Sequence, residues 1–178
     1  MLAQSIKQHD NILFLDFDGV INGYIRDRYT YCITVPIPSE GKLYYASISC
    51  MKYFINLIEL CKKYNYKIVV SSSWRIGNSV EDFNTAFNEM LQVLERTDEI
   101  FIGNTASCYG IETRGMEIKN YIETFKVKNY IIVDDEDFDY EEHFNLKKDF
   151  VKTDGAFGLR KQNINRLRYL MKYKSKNI

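Results

Sequence analysis

Asp16 with Asp18, and further along Asp134 with Asp135, are the residues on which chemistry can be built, because each pair closes a short unbroken apolar run. Ile12 to Leu15 lead into the first pair and Tyr130 to Val133 into the second, runs with the length and character of strands buried on both faces. Side chains alternate along a strand, so Asp16 and Asp18 project the same way from its end while Phe17 turns back into the protein. Gly19 lets the chain leave the strand without a side chain in the way. Two carboxylates at one mouth repel each other and lose hydration unless a cation lies between them, which points to a hard, oxygen-loving ion such as Mg²⁺. A polar turn is the alternative account of one such pair taken alone. An EF-hand calcium loop is excluded, since Ile21 and Asp27 stand where that loop needs glycine and glutamate.

A further strand-like stretch, Lys67 to Val70, passes directly into Ser71, Ser72, Ser73, Trp74 and Arg75. A serine hydroxyl and the free backbone N–H groups of a strand end can hold a phosphate oxygen without adding charge. Three serines compete for that role. Two runs that each end in paired aspartates, with a serine-ended strand and a basic helix start between them, form a far more specific signal than either pair alone.

The stretch ILFLDFDGVING resembles the first motif of the haloacid dehalogenase-like (HAD) hydrolases. That resemblance implies that Asp16 is the nucleophile and Asp18 the general acid/base. SSSWR stands where the family's second motif, a strand ending in Ser or Thr, is expected; against the Ser/Thr-x-Trp form Ser72 is the best match and Ser71 the next. The same segment is similar to that of phage polynucleotide kinase-phosphatases, which implies a bidentate contact from Arg75 to phosphate, an exposed helix-start charge being the alternative. Arg114-Gly115 matches the basic residue and glycine that open the helix before the fourth motif and steady the phosphorylated aspartate. Lys119, one turn further on, is the rival, and Arg114 departs from the lysine many members carry. The resemblance also implies Mg²⁺ held by Asp16, by Asp18 through its carbonyl, and by Asp134 or Asp135. With TRGMEIKNYI, YIIVDDEDFD and TDGAFGL added, the chain from Ile12 to the last helix resembles the HAD domain of the Swiss Army Knife RNA-repair proteins.

The implied activity is Mg²⁺-dependent hydrolysis of a phosphomonoester through an aspartyl-phosphate, on a polynucleotide 3′-phosphate or a nucleotide. The alternatives are a non-catalytic module that binds phosphorylated RNA or DNA ends, a phosphatase of small metabolites, and a phosphotransferase or receiver-like phosphoacceptor. An intact Asp16/Asp18 pair argues against a mere binder, which has no need of the acid/base.

The elements that must position these groups follow from periodicity. Alternating strands and helices, with every candidate group at a strand end or helix start, predict a three-layer, doubly wound α/β domain with a central parallel sheet and its site at the carboxyl edge. Residues 23–49 read as two strands joined by a Pro/Gly turn, a small hairpin flap where relatives commonly carry a cap. Ser49 is positioned to cap a helix to about Tyr64, and Ser79 with Asp82 fits a capping box opening a helix to about Glu95. Further strands are expected over Ile100 to Ile102 and Phe150 to Lys152. A helix from near Thr113 should bury Ile118, Ile122 and Phe125, and a last helix Ile164, Leu167 and Met171.

Composition sets the outer limits. A chain of 178 residues, 46% hydrophobic, buries one good core, so residues 1–178 read as a single domain. Net charge is zero, yet Asp134 to Glu142 is strongly acidic, whereas no acidic residue follows Asp154 and seven Lys and Arg do. Beyond the Asp134-Asp135 pair, Glu136 to Glu142 read as a solvated loop and helix start, and the tail as a basic face. Cys32, Cys50, Cys61 and Cys108 lack metal-ligand spacing, so free thiols in a reducing compartment are expected. No run reaches membrane-spanning length, and a soluble cytoplasmic protein is the expectation.

Overall fold

The computed structural model describes residues 10–23, 33–39, 42–48, 51–92, 101–106 and 113–176. In chain order these form β1 (Asn11–Leu15), a hairpin of β2 (Ile33–Ser39) and β3 (Lys42–Ile48), α1 (Met51–Lys63), β4 (Lys67–Val70), a 3-10 turn (Ser73–Arg75) and α2 (Val80–Gln92). β5 (Phe101–Asn104), α3 (Arg114–Phe125), β6 (Asn129–Asp134), α4 (Tyr140–His143), α5 (Leu146–Asp149), β7 (Phe150–Lys152) and α6 (Lys161–Lys174) follow. The main sheet is five-stranded, parallel throughout, and ordered β5-β4-β1-β6-β7. From β1 the chain builds outward through β4 and β5, then crosses back to lay β6 and β7 on the other side. A doubly wound sheet opens its crevice at such a reversal, at the carboxyl ends of the strands.

Alternation along β1 explains the layers. Leu13 and Leu15 point to one face, where they pack with Phe54, Leu57 and Ile58 of α1, Phe83 and Phe87 of α2, and Ile164, Leu167 and Met171 of α6. Ile12 and Phe14 point to the other, against Ile118 and Tyr121 of α3 and Tyr140 of α4. Every residue of β1 is buried, as its unbroken apolar run requires. Each large apolar side chain of β1 removed from water contributes about 1.5–3 kcal/mol.

The expected strands and helices form, with shifts of a residue or two at their ends. The Ser79 capping box is present, Asp82 N–H donating to Ser79 Oγ at 3.1 Å and Ser79 N–H to Asp82 Oδ2 at 2.7 Å. Of the apolar residues expected inward on α3, Ile118 is buried whereas Ile122 and Phe125 are half-buried at its margin. The Ser49 cap, the helix end near Glu95 and the remaining residues of the flap lie outside the described residues. The hairpin differs from expectation in one respect: Pro36 and Pro38 sit inside β2, paired with Tyr45 and Leu43, rather than in the turn. Residues two apart turn their backbone N positions to the same side of a strand, so both prolines can face away from β3, where no ladder donor is needed. Cys61 is a buried free thiol whose pKa burial pushes up to about 12; Cys32, Cys50 and Cys108 lie outside the described residues. Among the described residues no helix is long and apolar enough to cross a membrane.

Candidate active site

Register brings the candidate groups together. Leu15 lies abreast of Val133 on one side and Val70 on the other, so the next residue of each strand, Asp16, Asp134 and Ser71, arrives level at the carboxyl edge. Neighbouring strands are about 4.8 Å apart, within reach of short side chains. The ladder continues through this row, Asp16 N–H donating to the Val133 carbonyl at 3.0 Å and Ser71 N–H to that of Leu15 at 2.9 Å.

Asp16 is 6% exposed. Its carboxylate accepts from Arg114 Nη1 at 2.9 Å, from the Ser72 hydroxyl and from the Phe17 N–H. Burial raises its pKa, and those three donors oppose the rise. The same Arg114 nitrogen is 3.3 Å from Asp134 Oδ2, so one guanidinium bridges the first and last acidic motifs. Burial by itself lowers the Arg114 pKa, but Asp16 and Asp134 outweigh it and hold the group above its ordinary value, a permanent cation. Asp134 also accepts the Glu136 N–H at 3.0 Å and the Tyr140 hydroxyl at 2.8 Å. Even so, burial and then the Asp16 charge push its pKa up to about 7.

Asp16, Asp134 and Asp135 each place one oxygen within 4.8 Å of the others. Arg114 bonds directly only to Asp16 and Asp134, and three converging carboxylates form an all-oxygen set that Mg²⁺ fits. Gly19 makes the cluster possible. It adopts φ +69°, and a Cβ there would collide with the Asp135 carboxylate. Its carbonyl accepts the Thr153 hydroxyl at 2.7 Å, and Leu159 N–H donates to the Val20 carbonyl at 2.7 Å, so TDGAFGL ties down the loop that follows Asp18.

The Asp18 carboxylate is held apart from that cluster, with Trp74 Nε1 donating to Oδ2 at 2.9 Å and Asn22 Nδ2 to Oδ1 at 3.2 Å. Phe17, wholly buried between the two aspartates, meets Trp74 and Phe83 edge-to-face at 5.1 and 5.3 Å. One aromatic anchor therefore fixes both carboxylates and the residue that orients the second.

The three serines separate. Ser72, fully buried, reaches Asp16 and accepts the Trp74 N–H as cap of the 3-10 turn; Ser71 is buried with an unpartnered hydroxyl; Ser73 is exposed. Arg75 does not extend a free fork toward Asp16. Its nitrogens donate to the Ser72 carbonyl at 2.6 Å, the Thr105 carbonyl at 3.2 Å and Glu117 at 2.5 Å. It rivets the serine turn to α3, which carries Arg114. Lys119 lies exposed, away from the acids that Arg114 engages.

Several participants are not marked by any local motif. Trp74 donates to an acid 56 positions away and Glu117 holds Arg75 across 42, while Tyr140 turns back from the first turn of α4 onto Asp134, six residues before it. Asp139, expected as a solvated acid, instead accepts the Gly115 N–H at 2.8 Å and the Thr113 hydroxyl, and pairs with His143 at 3.1 Å. A carboxylate at the start of α3 is favoured by the helix dipole. Asp137 is tied to Lys152 at 3.0 Å. Between these anchors Phe138 takes φ +35°, a left-handed conformation costing an aromatic residue about 1–2 kcal/mol.

The sequence model of the family described as the HAD domain in Swiss Army Knife RNA repair proteins matches residues 12–164. No curated protein sequence matches the chain. The matched span starts on β1 and ends in α6, enclosing the whole parallel sheet and every acid and base of the site, and the chain belongs to this family of HAD domains.

Proposed function

We propose that the chain is a Mg²⁺-dependent phosphomonoester hydrolase acting on a terminal 3′-phosphate of a polynucleotide or nucleotide. The observation that carries this reading is the separation of the two leading acids: Asp16 is steadied by a cation it shares with Asp134, whereas Asp18 is held by neutral donors. A nucleophile has to stay ionised, and an acid/base has to change its protonation.

In this reading an Asp16 oxygen attacks phosphorus, the bond from phosphorus to the leaving alcohol oxygen breaks, and Asp18 supplies the proton to that oxygen. Asp18 then takes a proton from water as its oxygen attacks phosphorus and the aspartyl-phosphate bond breaks, returning both carboxylates to their starting states. Arg114 and Ser72 hold the transferring oxygens. Asp16, the Asp18 carbonyl, and Asp134 or Asp135 would hold Mg²⁺, which supplies charge neutralisation between carboxylate and phosphate.

The small hairpin supports a long substrate. Two seven-residue strands do not enclose a small molecule as a large cap does, and the matching family is that of HAD domains in Swiss Army Knife RNA repair proteins, which supports a nucleic-acid end as substrate. Arg160 and Lys161 begin α6 just after the Leu159 contact to the Asp18 loop, so the basic tail starts beside the site. The test is phosphate release from 3′- and 5′-phosphorylated oligonucleotides, mononucleotides and sugar phosphates at several salt concentrations. An advantage of the 3′-phosphorylated oligonucleotide over its mononucleotide that shrinks as salt rises is expected. Equal efficiency on both with no salt dependence would leave a phosphatase of small metabolites, and no release from any of them would leave the binding module.

A further inference from the structure

We propose that Phe138 forms a nucleobase-stacking subsite beside the phosphate position, an inference that rests on the reading above. A cavity of about 390 Å³, lined by Arg75, Thr113, Arg114, Glu117, Phe138 and Asp139, opens at the start of α3. That is within the volume range of small-molecule pockets. The Arg114 guanidinium forms one junction with the acids: Nη1 contacts Asp16, and its central carbon lies 4.8 Å from the centre of the Phe138 ring. A phosphate engaged by Asp16 and Arg114 would therefore have the aromatic ring about one sugar unit away.

Burial alone does not account for the position of Phe138. Its side chain is 49% exposed, and its backbone is held in the left-handed region by neighbours that are both tied down, Asp137 to Lys152 and Asp139 to Thr113, Gly115 and His143. Tyr140 packs against it at 5.7 Å in a T-shaped arrangement, and about half of the ring remains open to solvent. An aromatic ring displayed at strain over the cation of a phosphate site is placed to stack on a flat group attached to that phosphate. The charged groups of the cavity wall are already engaged: Arg75 with Glu117, Asp139 with the start of α3. Recognition through a ring face with the polar edges occupied requires a base and tolerates any base.

The test uses an Asp16→Asn background, which stops turnover, and isothermal titration calorimetry. The ligands are adenosine and cytidine 3′-monophosphates, a 3′-phosphorylated trinucleotide, and the same trinucleotide with an abasic last position. Phe138→Ala is expected to weaken binding of the three base-bearing ligands roughly tenfold and to leave the abasic one unchanged, with Phe138→Tyr restoring affinity. Equal weakening on all four would mean that Phe138 acts only through Arg114 and would overturn the subsite, as would unchanged affinity or no binding of any ligand. The two readings fail separately. A wild-type chain that binds in this base-dependent way yet releases no phosphate refutes the hydrolase alone; one that releases phosphate while affinity ignores the base refutes the subsite alone.

Discussion

The two aspartate pairs close neighbouring parallel strands, yet one residue of spacing gives them different structures. Asp16 and Asp18 are two apart, with Phe17 between them driven into the core, so the pair straddles a fixed aromatic ring and its members acquire separate partners. Asp134 and Asp135 are adjacent. One is buried with its oxygens taken by Arg114, Tyr140 and the Glu136 N–H, and the other lies over Gly19. Each pair has an aromatic donor, Trp74 for Asp18 and Tyr140 for Asp134. In the proposed mechanism the first donor orients the acid that exchanges a proton, and the second holds an acid of the metal cluster. The first spacing suits two chemical roles, the second a single cation.

The sharpest break between the members of the first pair is charge removal at fixed shape. Asp16→Asn should lower kcat by on the order of 10⁴-fold or more, because the bond-forming oxygen is lost. Asp18→Asn should cost about 10²–10⁴-fold and still bind substrate. Steady-state kinetics on proteins with wild-type circular dichroism measures both, and full activity in Asp16→Asn would end the nucleophile assignment.

The second pair is tested by the cation. Chelation with EDTA should remove activity by at least about 10³-fold and added Mg²⁺ should restore it, while Asp134→Ala combined with Asp135→Ala should raise the Mg²⁺ requirement or eliminate turnover. Undiminished activity in EDTA would dissolve the contrast, leaving the second pair without a chemical part.

The aromatic donors give smaller effects that differ in kind. Trp74→Phe removes a hydrogen bond to a carboxylate, worth roughly 1.5–3 kcal/mol, and should lower kcat about tenfold with KM little changed while moving the pH profile. Tyr140→Phe should raise the Mg²⁺ concentration for half-maximal rate about threefold and leave the shape of the pH profile alone. If both variants shifted the profile alike, the two acids would not be doing different work.

What the sequence by itself determined is the part written in consecutive residues. Burial of Ile12 to Leu15, the strand ends at Asp16 and Asp134, the opposite facing of Phe17, the capping box at Ser79 and the helix start at Arg114 all follow from alternation, turn chemistry and short spacings. Each is fixed by a residue and its near neighbours, whose separation in space the backbone dictates. The tertiary structure decided whatever depends on register and on elements meeting from afar. Arg75, expected against a phosphate, is committed to Glu117 and two carbonyls because α3 packs beside the serine turn. Ser72 rather than Ser71 or Ser73 turns toward Asp16, and Arg114 rather than Lys119 reaches the acids, since only a residue at the first turn of α3 faces the sheet edge. Trp74 on Asp18, Glu117 on Arg75 and Phe138 beside Arg114 join residues whose distance along the chain carries no information about their distance in space. They meet because the Leu15, Val70 and Val133 register sets three strand ends level, and packing on both faces of that sheet leaves each loop above it one place to go.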